Sequence, residues 1–151
     1  MTLTVHYLER LLMRYDNEGH FRSVLGAKLA LFDVEFQPIE SGGTANGISD
    51  AYFSSRAHHI KGWIELKNED ALPKRGKHKV GYQPGQYSWI NRMRREGTLC
   101  MLGIAFYEGV VFFSDYEIEK EYTKEQLETR IVDKGIPEQF IKIAKAGVNN
   151  A

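Results

Sequence analysis

The sequence has little cysteine, no long apolar run and no excess charge of either sign. Its 151 residues include one cysteine, which excludes an internal disulfide and a thiolate-rich metal site. No stretch approaches the roughly 18 consecutive apolar residues that a membrane-spanning helix needs. Charged side chains interrupt the first residues, which do not form a signal-peptide pattern, so we expect a cytoplasmic protein without a membrane partner.

No repeat, low-complexity tract or linker divides the sequence, so we expect one compact domain over residues 1–151. Helical and strand spacings of the apolar residues follow one another in the order α, β, β, β, α, β, β, α. The predicted helices are residues 5–15, 21–31, 84–97 and two short helices after Thr123, and the predicted strands are 32–39, 48–54, 62–67, 98–107 and 110–113. This order predicts an α/β (α+β) domain in which helices flank a mixed central sheet of about five strands.

Charge is unevenly distributed along the chain, although the formal net charge is zero. Residues 56–95 contain ten basic residues against three acidic ones, and much of the balancing acid follows Asp115. A basic middle segment attracts a polyanion such as DNA, but a solvated lysine-rich loop has the same composition. Residues 68–82 show no periodicity and predict a charged loop, in which the candidate DNA-binding residues are Lys74, Arg75, Lys77 and Lys79.

The residues with candidate chemistry lie in and before the predicted strand 62–67. Successive side chains of a strand point to opposite faces, so Glu65 and Lys67 share one face. The apolar surroundings predict an interior strand, where a carboxylate and an ammonium are costly unless they are paired or bind a metal. Asp50 ends another apolar segment after the glycine-rich stretch 42–47, and two carboxylates from adjacent strands can bind one Mg²⁺.

Asp50, Glu65 and Lys67 together could hydrolyse a phosphodiester. A metal on the two carboxylates would polarise the phosphate and lower the pKa of a bound water. Lys67 would orient that water, help to deprotonate it, or neutralise charge that develops on the phosphate. Taken alone, each residue also has a plain structural alternative, which is a turn residue for Asp50 and an ion pair for the other two.

Asp50 followed by Glu65-Leu66-Lys67 on the next strand resembles the signature of PD-(D/E)XK nucleases. The surrounding residues 46–113 resemble small phage-encoded nucleases of the VRR-NUC and Holliday-junction-resolvase type. The motifs that carry this resemblance are Gly47-Ile48-Ser49-Asp50, Gly62-Trp63-Ile64-Glu65-Leu66-Lys67, Pro73-Lys74-Arg75 and Gln83-Pro84-Gly85-Gln86-Tyr87-Ser88-Trp89. Family members often have proline before the aspartate, where this sequence has Ser49; that proline shapes the backbone and takes no part in chemistry.

The resemblance implies a restriction-endonuclease-like core and further site residues. It implies a glutamine beside the active site at the start of the helix after the E-x-K strand, where Gln86 fits best and Gln83 is the alternative. It implies that the backbone carbonyl of Leu66 joins the two carboxylates as a metal ligand. Many relatives also have an acid on the N-terminal helix near the metal, for which Glu18 is the better candidate and Glu9 competes.

The activity that the resemblance implies is Mg²⁺-dependent cleavage of DNA, with Mn²⁺ as a substitute metal. Branched DNA such as a Holliday junction is the implied substrate, since a small chain has little surface for reading sequence. Junction resolution needs paired cuts, which implies a homodimer, and the implied setting is phage DNA metabolism in the host cytoplasm. The alternatives are a non-catalytic DNA-binding module on the same fold and a virion or host-interaction protein.

Overall fold

The computed structural model describes residues 15–39, 47 and 49–149. Its strands are β1 (Glu35–Pro38), β2 (Ala51–Ser55), β3 (Ile60–Asn68), β4 (Lys77–Lys79), β5 (Cys100–Phe106), β6 (Gly109–Ser114) and β7 (Glu121–Thr123). Its helices are α1 (Glu18–Ala30), α2 (Gln86–Arg95), α3 (Lys124–Glu128) and α4 (Ile136–Asn149), with a 3₁₀ turn at Asp115–Glu117. No helix in these described ranges is long and apolar enough to cross a membrane.

Five strands form a mixed sheet in the order β1-β2-β3-β5-β6. Consecutive strands β1, β2 and β3 pair antiparallel, as do β5 and β6, whereas β3 and β5 pair in parallel. A parallel pair needs a long crossover, and the segment 69–99 provides it, carrying β4 and α2. The predicted mixed sheet of about five strands with flanking helices is therefore confirmed.

Helices cover both faces of the sheet. Successive side chains of β3 point alternately to the two faces, so they contact different helices. Ile64 and Leu66 are fully buried in a cluster that includes Phe21 of α1 and Phe140 of α4. The opposite face carries a second cluster, in which side chains of β5 and β6 pack with Ile90 of α2. Glu65 and Lys67 belong to this second face by alternation, so they point towards the layer that contains α2.

Two predicted elements differ from the structure. The strand predicted over 32–39 begins only at Glu35, because residues 31–33 form a turn in which Asp33 has a φ of 61°. The prediction that residues 68–82 form a loop throughout was wrong at Lys77–Lys79, which is β4. This three-residue strand is too short to show an alternation, and its antiparallel partner β7 lies far away in the sequence.

Local signals at the helix ends were more reliable. Thr123 and Gln126 form the predicted capping box at the start of α3. Helix α2 begins at Gln86 rather than at the predicted residue 84, and Gly97, just beyond its end, has a φ of 82° that suits glycine. Of the helix predicted over 5–15, only Tyr15 lies within the described residues.

Candidate active site

Asp50 and Glu65 are brought together by the pairing of β2 with β3. Ala51 is opposite Ile64 in this antiparallel register, so the preceding residue, Asp50, comes opposite Glu65. Oδ2 of Asp50 accepts a hydrogen bond of 2.7 Å from the backbone N–H of Leu66. The N–H and C=O of one strand residue point to the same side, so the Leu66 carbonyl also points towards the Asp50 side and away from β5.

Glu65 is held by a buried network that joins β3 to the start of α2. Nε2 of Gln86 donates to Oε1 of Glu65 over 2.8 Å, and Nζ of Lys67 lies 3.3 Å from the same oxygen. Oε1 of Gln86 accepts from Lys67 Nζ at 3.0 Å and from the backbone N–H of Gln83 at 2.7 Å. These contacts fix which way the Gln86 carboxamide points, since its oxygen accepts twice and its nitrogen donates.

Of the two candidate glutamines, Gln86 is the one whose side chain lies beside the charged groups of β3. Gln86 is 8% exposed and contacts both Glu65 and Lys67. The side chain of Gln83 is exposed, and this residue contributes its backbone N–H to the network.

The pKa of the Glu65 carboxyl is far from its ordinary value. Burial, together with the adjacent Asp50 carboxyl, raises the pKa of Glu65 to about 9 against the opposing effect of the Lys67 ammonium. The second oxygen of Glu65, Oε2, is buried and has no hydrogen-bond partner among the described residues.

This donor set fits a hard divalent cation. An unpartnered buried carboxylate oxygen beside a second carboxylate is costly unless a proton or a cation compensates for it. Mg²⁺ prefers one or two carboxylates and fills its remaining positions with water and phosphate oxygens. Among the described residues, no three His, Cys, Asp or Glu side chains form a group that could hold a metal ion.

Glu18 lies within electrostatic reach of Asp50 and Lys67. It is the first residue of α1, after the N-cap Asn17, whose side chain accepts from the backbone of the helix. Burial raises the pKa of Glu18, the Lys67 ammonium lowers it and the Asp50 carboxyl raises it, so the group senses both site residues. The competing acid, Glu9, lies outside the described residues.

A further acid beside the site, Glu69, was missed by the sequence reasoning. Burial raises its pKa and the Lys67 ammonium lowers it, and its charge also affects Glu18. The signal was available, because Glu65, Lys67 and Glu69 follow one another at the two-residue period of a strand face. Glu69 follows the last residue of β3, and its backbone N–H still donates to the Ala105 carbonyl of β5.

Two glycines let the chain segments before Asp50 and Gln86 touch. Gly47 and Gly85 have φ angles of 95° and 88°, which favour glycine. A Cβ on Gly47 would come within 2.7 Å of the Gly85 carbonyl oxygen. Gly47 therefore allows a close backbone approach to the turn that carries Gln86.

The basic stretch comprises the residues that lead into strand β4 and the two lysines of that strand. Its residues Lys74, Arg75, Lys77 and Lys79 are all exposed. Between the two strand lysines, His78 is half-buried against Phe106, and its Nε2 lies 3.8 Å from Oε1 of Glu69. Strand β4 is therefore joined to the end of β3 through this contact, and its lysines face solvent.

No model of a known protein family and no curated protein matches this sequence. In structure, the chain is similar to Hjc, a Holliday junction resolvase from the archaeal hyperthermophile Archaeoglobus fulgidus, with a TM-score of 0.54. The similarity covers 82% of this chain and 98% of that one at 11% sequence identity. At this identity the comparison establishes a shared fold.

Proposed function

We propose that the protein is a metal-dependent endonuclease that hydrolyses phosphodiester bonds of branched DNA, such as a Holliday junction. The observation that carries this proposal is the buried Glu65 carboxyl beside Asp50, with Lys67 and Gln86 held against it. A buried acid with a raised pKa, a second acid and a paired lysine are costly in a core and are typical of catalytic sites. The fold shared with an archaeal resolvase supports the same class of chemistry and substrate.

The carboxylates of Asp50 and Glu65, together with the Leu66 carbonyl, would hold Mg²⁺, with Mn²⁺ as a substitute. When bound, the metal supplies a Lewis acid that polarises the phosphate and lowers the pKa of water. Asp50 is oriented for this role by its hydrogen bond from Leu66. Glu18, at the start of α1, would join them as a further ligand, in keeping with its electrostatic coupling to Asp50 and Lys67.

Lys67 would act on the phosphate or on the attacking water. Lys67 is 2% exposed, and its ammonium is held by Gln86 and Glu65, so it is already oriented before substrate arrives. The water oxygen forms a bond to phosphorus as a P–O ester bond breaks, which leaves a phosphomonoester and a free hydroxyl. Lys67 stabilises the charge that grows on the phosphate oxygens or orients the water, and Gln86 positions Lys67.

The exposed basic stretch would hold the DNA backbone beside this site, since lysine and arginine displace counterions from phosphates. Paired cuts across a junction need two active sites, which a symmetric homodimer supplies. The resemblance of residues 46–113 to phage-encoded VRR-NUC-type nucleases supports a role in phage DNA metabolism in the host cytoplasm.

The test is a cleavage assay with linear duplex, single-stranded, nicked and four-way-junction DNA, each with Mg²⁺, with Mn²⁺ and with EDTA. We expect metal-dependent cutting that is fastest on the junction and is lost in Glu65→Gln. Junction binding without cleavage in either metal would overturn the nuclease proposal and favour a non-catalytic DNA-binding module. Cleavage that continues in EDTA would exclude the metal site.

A further inference from the structure

An open cavity of about 580 Å³ lies between the residues that follow β4 and the segment that enters β7. Its lining combines two aromatic rings with charged side chains, and consists of Lys79, Val80, Tyr82, Tyr87, Glu119, Lys120 and Glu121. A volume of this size lies within the range of small-molecule sites, roughly 300–1,000 Å³. The cavity is large enough for a nucleotide.

One chain segment connects this cavity with the candidate active site. The chain segment that joins Tyr82 to Tyr87 also carries Gln86, whose side chain contacts Glu65 and Lys67. Burial raises the pKa of Tyr82, and the Glu65 charge is among the further causes, so the phenol lies within electrostatic reach of the site. The short segment from Tyr82 to Tyr87 therefore links the cavity to the network around Glu65.

The two tyrosine rings form a fixed aromatic surface. Their centroids are 5.2 Å apart and their planes are tilted by 49°. The Tyr82 hydroxyl donates to the Glu119 carbonyl over 3.0 Å, and both rings pack against the core cluster beneath them. The rings are half-buried, so each retains surface that a flat ligand can cover.

The charged residues of the lining are two lysines and two glutamates, but one of the glutamates is already paired with a lysine outside the lining. The carboxylate of Glu121 is engaged by Lys77 at 3.1 Å, which leaves Lys79, Lys120 and Glu119 as the other charged residues of the lining. Nζ of Lys120 lies 5.2 Å from the centroid of the Tyr87 ring. An exposed cation–π contact of this kind is weak, so a base can replace the ammonium over the ring.

We propose that this cavity binds an unpaired nucleotide of the DNA, with its base stacked on Tyr87 and its phosphate between Lys79 and Lys120. Base stacking on aromatic side chains tolerates every base, and taking a base out of a duplex is easiest where it is already unpaired. The inference rests on the proposed nuclease function and narrows its substrate to DNA with an unpaired nucleotide beside the scissile phosphate. A fork or a single-stranded flap provides one, and a fully paired four-way junction provides one when a base at its branch leaves its pair.

The test measures stacking directly, in EDTA and without cleavage. Forked DNA carries 2-aminopurine either at the unpaired position of the branch or inside a paired arm. We expect the protein to quench fluorescence at the unpaired position, and Tyr87→Phe to retain both quenching and affinity. Tyr87→Leu should abolish the quenching and weaken fork binding roughly tenfold. Tyr116→Leu removes a 75% exposed tyrosine outside the cavity and should change neither.

The inference would be overturned if the wild type and Tyr87→Leu quenched the fluorescence equally. It would also be overturned if a Tyr87→Leu variant with a normal melting temperature bound the fork with unchanged affinity. The same samples are then given Mg²⁺ to separate this result from the proposed activity. Cleavage by the wild type without Tyr87-dependent quenching would overturn the cavity assignment and leave the nuclease standing. Quenching without cleavage in Mg²⁺ or Mn²⁺ would support the nucleotide site and overturn the nuclease.

Discussion

Gln86 donates from Nε2 to Oε1 of Glu65 over 2.8 Å, which joins the first residue of α2 to the centre of β3. The same carboxamide accepts from Lys67, so one neutral side chain orients both charged groups. The position of Glu65 and Lys67 in the site therefore depends on a helix that follows them in sequence, as well as on their own strand.

Gln86→Ala should lower the cleavage rate about tenfold or more and destabilise the fold by ~1–3 kcal/mol, since buried polar groups lose their partner. Gln83→Ala is the matched control, because alanine keeps the backbone N–H that Gln83 contributes. Junction cleavage rates and urea unfolding of both variants provide the measurement. Equal effects of the two substitutions would show that the Gln86 carboxamide has no special role.

Glu65→Gln and Asp50→Asn should each abolish metal-dependent cleavage without lowering the stability of the metal-free protein. Glutamine at position 65 keeps the uncharged form that burial and Asp50 favour there without metal, and asparagine at position 50 removes a negative charge beside the buried Glu65 carboxyl. Glu35→Gln changes an exposed acid on the edge strand and serves as the control. Full cleavage by both site variants, with Mn²⁺ excluded, would contradict the assignment.

The metal-free protein should become less stable as the pH rises from 4.5 to about 9, the interval over which the pKa of Glu65 is raised by burial and by Asp50. In this window the unfolded chain has lost the Glu65 proton and the folded protein retains it. The unfolded state therefore binds fewer protons, and the free energy of unfolding falls with pH, by an amount on the order of a few kcal/mol.

Urea unfolding at several pH values in EDTA measures this slope. Glu65→Gln cannot titrate and should flatten it. A slope as steep in Glu65→Gln as in the wild type would assign the pH dependence to other groups.

Replacing the basic stretch should weaken DNA binding more than catalysis. The quadruple alanine variant at Lys74, Arg75, Lys77 and Lys79 should bind junction DNA more weakly, with a salt slope reduced by roughly 0.9 for each DNA phosphate that the variant no longer neutralises. The control variant removes four exposed lysines from other surfaces, namely Lys61, Lys134, Lys142 and Lys145. Identical slopes for the two variants would mean that overall charge, and not this stretch, attracts the DNA.

Lys67→Ala should have the opposite effect and stop turnover while junction affinity stays within about twofold, because this buried lysine offers little surface to the DNA backbone. Single-turnover cleavage at saturating enzyme separates the two effects. Cleavage at the wild-type rate would remove Lys67 from the mechanism.

The sequence predicted those parts of the site that depend on local periodicity. A two-residue period put Glu65 and Lys67 on one face of β3, and the structure has them there, in contact with the same residue of α2. The resemblance to known nucleases suggested Gln86, but the contact itself depends on how a crossover folds back over the sheet. The order of apolar and polar residues within one segment does not predict how close Gln86 comes to Glu65.

Strand β4 was missed for the same reason, because it depends on a contact with a segment that is distant in sequence. Strand β4 forms because β7 lies beside it, and its three residues have no recognisable alternation of their own. The approach of Glu18 to Lys67 likewise depends on how α1 packs over the sheet. The sequence predicted five strands and their flanking helices. It did not predict that β3 pairs in parallel with β5, because the sequence of a strand does not show which strand lies beside it.

The mixture of antiparallel and parallel pairing around β3 also implies an order of assembly. Asp50 and Glu65 come from strands that are adjacent in sequence, so a short loop closure is enough to bring their carboxyls together early in folding. The parallel partner β5 and the helix that carries Gln86 join only after the segment 69–99 has crossed over, which is a slower, non-local step. We expect Asp50 and Glu65 to come together while water still surrounds their carboxyls. The pKa of Glu65 should rise only when β5 and the helix that carries Gln86 pack over the site and exclude this water.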